Sequence, residues 1–244
     1  MRKLGFVLLA ASALAIAAPI ASAGRSHDHQ LPASAAAAQA AERIGTGHHN
    51  AASSTSSYAI ALLAPWGNAA YDGRQITVTY TIGASPGVPA SAVTAVQSAL
   101  SSWNSCFGGG SGCAGISPKS RFSFSATTGS PLLTITIKKG GGVVAGSTKL
   151  STDRSGFIDG ARLQISASSF GSPNTTQTID EIALHELGHV VGLGHSNNPN
   201  DLMYPVLNGV TSFGSCEVNG FNALYSSWLG SGSPTLPSES SVSC

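Results

Sequence analysis

Hydrophobic and polar positions alternate most clearly at 76–82, where Ile76, Val78, Tyr80 and Ile82 are separated by Thr77, Thr79 and Thr81. A period of two places the apolar side chains on one face of an extended chain, so this stretch predicts a half-buried strand. Pro86 and Pro89 mark a loop after it. Beyond the loop, Val93, Val96, Leu100 and Trp103 recur at intervals of three and four, the spacing of a helix with one buried stripe. Residues 122–125 and the run Leu133-Thr134-Ile135-Thr136-Ile137 return to strand signal. Gly140-Gly141-Gly142 interrupts it, and Val143-Val144 and residues 161–165 predict further short strands. A second helix is predicted from about Ile179 to Val191, because Thr178 and Glu181 have the Thr-x-x-Glu spacing of a capping box. Its apolar arc, Ile179, Ala183, Leu187, Val190 and Val191, faces away from His185 and His189, and Gly192 and Gly194 stop it. Val218, Phe221, Tyr225 and Trp228 predict a third helix. The order strand, helix, several strands, helix, loop, helix is that of an α+β domain, and no internal repeat is present.

The N-terminus follows a different pattern. Arg2 and Lys3 precede an apolar stretch running from Leu4 to about Pro19, and Ala21-Ser22-Ala23 offers small residues for cleavage. That arrangement predicts a secretory signal peptide at 1–23, and its apolar run is short for a bilayer span. Residues 24–55 are rich in Ala and Ser, carry His27, His29, His48 and His49, and lack apolar periodicity. They read as a flexible leader or short propeptide. The folded domain is expected at 56–230, with a C-terminal tail at 231–244. The expected protein is exported, extracellular and soluble.

Charge narrows the partners. Only 9% of residues are charged and the formal net charge is +1, so no basic patch is available for nucleic acid or an anionic membrane. A monomer is expected. The four cysteines, Cys106, Cys113, Cys216 and Cys244, suit two disulfides in an exported chain, with three connectivities possible. The expected pairs are Cys106–Cys113, closing a Gly-rich loop, and Cys216–Cys244, pinning the tail. Cysteine metal ligands are disfavoured because no Cys-x-x-Cys pair exists. The Asn174-Thr175-Thr176 triplet has the form of a glycosylation sequon and is assigned no role.

The chemistry concentrates in His185-Glu186-Leu187-Gly188-His189-Val190-Val191-Gly192-Leu193-Gly194-His195. Two histidines four apart on a helix point the same way, so both imidazoles can reach one ion. Gly192 lets the chain leave the helix sharply, and the turn brings His195 back as a third ligand. Three histidines leave a position for water, as a catalytic zinc site requires. Glu186, beside the first ligand, is the candidate general base. After residue 49 the chain contains no other histidine.

With these residues the chain resembles the matrixin family of the metzincin metallopeptidases. His195 is followed by Ser196, as in matrixins, and Leu202-Met203-Tyr204-Pro205 is similar to their Met-turn. Gly220-Phe221-Asn222-Ala223-Leu224-Tyr225 is similar to their last helix, and residues 156–166 to the strand before the zinc helix. The resemblance implies a metzincin-like fold: a twisted, mostly parallel sheet with an antiparallel edge strand, three helices and the Met-turn. It implies one catalytic Zn2+ on His185, His189 and His195, with Met203 beneath it as an apolar floor and protein or peptide as substrate. Calcium is not indicated. A substrate is expected to pair with the edge strand near 143–148, and Tyr204 is given no catalytic role. Glu181 either caps its helix or lines the pocket that residues 205–208 bound, where it would favour a basic side chain. The chain departs from animal matrixins in having no cysteine before Cys106, hence no cysteine switch, and in lacking the His/Asp-rich segment of their structural metal sites. A compact bacterial-type member is the better comparison. The leader histidines, His27 with Asp28 and His29 or His48 with His49, could cap the zinc, against the plainer reading of a solvated linker. Two rival functions are a secreted zinc hydrolase acting on a non-peptide bond and a non-catalytic binding module of protease descent. The presence of Glu186 argues against the second.

Overall fold

The computed structural model describes residues 27–30, 58–109, 113–116, 121–140, 145–167, 173–229 and 232–244. Residues 1–23, where a signal peptide is expected, His48, His49 and Val143-Val144 lie outside the described residues. In chain order the elements are β1 (His27–Gln30), β2 (Ala59–Leu62), β3 (Ile76–Ala84), α1 (Ala90–Phe107), β4 (Phe122–Ala126), β5 (Leu133–Lys139), β6 (Ala145–Thr152), β7 (Ile158–Ala167), α2 (Pro173–Val191), β8 (Leu193–Ser196), α3 (Ser215–Tyr225) and β9 (Ser241–Ser243).

The main sheet has the order β1-β6-β7-β5-β3-β4. Strands β4, β3, β5 and β7 run parallel, and β6 is antiparallel to β7. Crossovers between parallel strands bury both sheet faces or load one with helices. Here α1 and α2 pack on each other, α1 also against β4 and α2 against β6 and β7. Ile76, Val78, Phe122, Leu133, Ile135, Ile137, Leu163 and Ile165 turn inward from the strands.

Five features differ from the pattern-based expectation. The helix expected at 179–191 begins at Pro173, so Thr178 and Glu181 lie inside it and the capping-box reading of Glu181 is wrong. From Glu181 to Val191 every residue of α2 is buried, polar ones included, because both faces of the helix are covered. A second sheet, β8-β2-β9, had no counterpart in the pattern. Its strands are three or four residues long, too short to show alternation. Finally β1, in the stretch expected to be a flexible leader, pairs antiparallel with β6, His29 lying opposite Thr148. The antiparallel strand expected to form the sheet edge is therefore covered on its outer side by β1. Trp228, expected in the last helix, lies beyond the end of α3.

The C-terminal half of α2 is fixed by long-range polar contacts. Trp103 Nε1 on α1 donates to Leu184 O at 3.1 Å. Trp66 Nε1 donates to Val190 O at 2.7 Å, and the Tyr225 hydroxyl donates to Val191 O at 2.6 Å. Burial raises the Tyr225 hydroxyl far above its ordinary range, while its contact with Trp66 opposes this, so it stays a neutral donor. Cys106 is bonded to Cys113 at the end of α1. Cys216 on α3 is bonded to Cys244, which with the β2–β9 pairing ties down the C-terminus. Among the described residues no helix is long and apolar enough to cross a membrane.

Candidate metal centre

His185 and His189 occupy successive turns of α2, and their ring centroids are 4.8 Å apart. His195 sits on β8 rather than in a turn, 5.5 Å from His185 and 5.0 Å from His189 between centroids. Gly192 makes the passage from helix to strand possible. Its φ is 106°, a left-handed conformation that side-chain-bearing residues resist, and a Cβ there would collide with the Ala64 carbonyl oxygen of the chain entering from β2. Pairing of β2 with β8 then holds His195 facing the helix.

One ligand atom from each histidine lies within 4.8 Å of the others. His185 Nδ1 is 2.7 Å from Leu202 O, and His189 Nδ1 is 2.8 Å from Leu193 O. A carbonyl oxygen only accepts, so each Nδ1 carries the proton and each Nε2 presents its lone pair. The Nε2 atoms of all three histidines are buried. Three imidazoles with ligand atoms this close together, two of them held in the tautomer that presents Nε2, suit a divalent zinc ion. His185 and His189 are almost wholly buried, and His195 is partly open, which leaves a way in for a ligand.

Glu186 points from α2 toward β6. Its Oε2 accepts a 2.6 Å hydrogen bond from Thr148 Oγ1, and its Oε1 is buried without a hydrogen bond. Burial pushes its carboxyl up to about 8, with the Thr148 hydroxyl pulling the other way. The strand passes so close that a Cβ on Gly146 would lie 2.5 Å from Glu186 Oε1 and from Ile182 Cγ2. Only glycine fits there.

Met203 is fully buried and lies against Gly188, where any side chain would meet its sulfur. Ser196 ties this turn to β8. Its backbone N–H donates to Met203 O at 2.9 Å, and its hydroxyl donates to Asp201 Oδ2 at 2.6 Å. Glu217, at the third position of α3, accepts from Met203 N at 3.1 Å and from Gly214 N at 2.7 Å. Its carboxyl is raised, chiefly by burial and further by Asp201, against the two backbone hydrogen bonds. Asp201 also lies near Cys216 and Cys244, but those sulfurs are bonded to each other and leave a single carboxylate.

Thr148, Gly146, Asp201 and Glu217 escaped the sequence reading. Only Glu217 had a local signal, its three-residue spacing from Gly214 at a helix start. His27 and His29 lie on β1, paired through the backbone with Leu150 and Thr148.

The sequence model of the matrixin peptidases matches residues 70–226, which takes in the three histidines, Glu186 and the Met203 turn. The chain belongs to the matrixin family. Stromelysin-2 of Rattus norvegicus is 39% identical over 61 residues, and matrix metalloproteinase-20 of Homo sapiens 41% over 61 residues. Each match covers 23% of this chain and 13% of the relative, so the matched stretch is a small part of those proteins. Among solved structures, high choriolytic enzyme 1, a hatching enzyme zinc-protease from Oryzias latipes, is similar over 54% of this chain and 50% of its own, at 16% identity and TM-score 0.31. Myroilysin is similar over 65% and 86%, at 12% identity and TM-score 0.34. The family match, together with the three helices and the mostly parallel sheet, makes this a metzincin-like α+β fold.

Proposed function

We propose that this protein is a secreted, monomeric, zinc-dependent endopeptidase, with His185, His189 and His195 as the metal ligands and Glu186 as the general base. The observation that carries the reading is the convergence of three histidines beside a buried carboxyl that Thr148 holds in place. When bound, zinc supplies Lewis acidity, polarising a carbonyl and acidifying water. Glu186 takes the proton of the attacking water and afterwards delivers it to the departing amine, so one carboxyl serves both steps. The Leu202 and Leu193 carbonyls keep His185 and His189 in the ligating tautomer. Met203 closes the apolar floor and excludes water from below.

A peptide substrate would lie antiparallel along the outer edge of β6, over Thr148, taking backbone hydrogen bonds in the manner of an added strand. That edge now carries β1, so the leader has to leave before a substrate can pair there. Export rests on the signal-like pattern of residues 1–23.

The test is casein proteolysis by the secreted protein and by Glu186→Ala, with zinc measured on both. About one zinc on each, with cleavage by the wild type alone, supports both assignments. Zinc on each with no cleavage of any protein, even after residues 24–55 are removed, points to a non-peptide hydrolase. A wild type that binds no zinc ends the proposal.

A further inference from the structure

Strand β6 turns alternate side chains to the two sides of the main sheet. Thr148 is buried and donates to Glu186 Oε2 at 2.6 Å, so it faces α2 and the histidines. Side chains alternate along a strand, and Lys149 is exposed on the opposite side of the sheet. Across the ladder Lys149 lies opposite Arg162 on β7, and Arg162 lies opposite Thr134 on β5. All three are exposed, and all three line both of two shallow depressions on this face, each of about 380 Å³. Like charges directly opposite each other on neighbouring strands repel. A carboxylate on the outer side of Lys149 would answer both cations. The register position that would hold it is defined by β1, where Asp28 lies opposite Lys149 and His29 opposite Thr148.

We infer that Lys149, backed by Arg162, selects an acidic side chain in the substrate, at the second residue on the N-terminal side of the scissile bond. The inference rests on the peptidase reading above and deepens it to a substrate class, peptides with Asp or Glu at that one position. A substrate strand in the register of β1 pairs one residue with Thr148, the partner of Glu186. That residue supplies the carbonyl attacked by the water that Glu186 deprotonates. The residue before it pairs with Lys149, and alternation turns its side chain away from α2, onto the face where Lys149 stands. Directly opposed residues on adjacent strands have Cβ atoms about 4.5–5.5 Å apart, within reach of a lysine–carboxylate pair. Arg162, one strand further in, adds its charge and discourages Lys149 from leaning back over the sheet.

The experiment measures kcat/KM of the secreted, zinc-loaded protein on peptides in which Asp, against Asn, is placed in turn at each residue before the scissile bond. Opposite charges paired across an open sheet edge interact modestly. Asp should therefore be favoured roughly threefold to fivefold, at the second residue only, and high salt should bring the ratio toward one. Lys149→Ala should abolish the preference, and Lys149→Glu should turn it into a preference for Lys there, a gain that a misfolded variant cannot show. Lys138 lines one of the same depressions from β5, two strands away, and Lys138→Ala should leave the preference intact. A preference at another residue, or one that persists in K149E, would overturn the inference. So would an equal loss in K138A, which would mark a general field in place of a contact. Binding of the same Asp and Asn peptides to Glu186→Ala, read by fluorescence polarisation, separates this inference from the reading it rests on. The leader lowers both affinities alike and leaves their ratio unchanged. If the wild type cleaves nothing while that ratio still favours Asp, the peptidase reading falls and the acid recognition stands. Cleavage with no preference for Asp leaves the peptidase reading standing and overturns the inference.

Discussion

Replacing Gly192 with alanine tests how the third histidine is delivered. The residue has φ 106°, and holding a Cβ in a left-handed conformation costs about 1–2 kcal/mol. The new methyl would overlap the Ala64 carbonyl oxygen and approach Leu224 Cδ1 to 3.3 Å. Because Ala64 offers rigid backbone, the strand entry or the helix exit must shift, which costs about 1–3 kcal/mol. Gly192 O also accepts from Leu63 N at 2.8 Å, and losing that bond adds about 1 kcal/mol. Together these come to about 3–6 kcal/mol, a large share of the 5–15 kcal/mol typical of a folded domain. A domain of this size should lose about 6–24 °C in Tm. Any shift at Gly192 also moves His195, three residues on, so zinc affinity should fall with stability. The control is Gly73→Ala, where φ is 93° but no atom lies within 4 Å of the added methyl. That variant pays only the conformational penalty and should lose no more than about 2 kcal/mol. Calorimetry and competitive zinc titration on the two variants provide the readout. The reasoning is refuted if G192A melts as G73A does and keeps wild-type zinc affinity.

Three further expectations follow from contacts around the site. Thr148→Val removes the hydroxyl bonded to Glu186 at nearly constant shape; kcat/KM should drop roughly tenfold with zinc content unchanged, and full activity would mean that Glu186 is oriented by other means. Deleting residues 24–55 removes β1 from the outer edge of β6, so the initial rate on casein should rise several-fold, and an unaltered rate would show that β1 is no obstacle. Glu217 has a raised folded-state carboxyl, so the stability it contributes is complete below its ordinary value of 4.5 and is lost as pH rises through the folded value. The Tm gap between wild type and Glu217→Gln should therefore be widest in acid and narrow toward neutrality; a gap that widens with pH would reverse the assigned sign.

Much of the site is local in sequence. His185 and His189 share a face because a helix repeats every 3.6 residues, and Glu186 follows as the neighbour of the first. Gly192 marks the helix exit because no other residue tolerates that turn cheaply. Strands β3 and β5 alternate visibly because each buries one face more than the other. These properties need only neighbours a few positions away, and the residue pattern carries them.

Tertiary structure decided the rest. Strand β8 is four residues long and exists because β2, far earlier in the chain, pairs with it. The start of α2 at Pro173 and its burial on both faces depend on what packs there, so amphipathic spacing placed the start too late. Glu181 has the spacing of a cap, yet its partners lie 27 and 28 residues away. Thr148 meets Glu186 across 38 residues, and Glu217 meets Met203 across 14. A buried carboxylate must find donors wherever the fold supplies them. Spacing along the chain names the candidates for a metal site; the packing of β6, β8 and α3 around α2 determines which groups orient them.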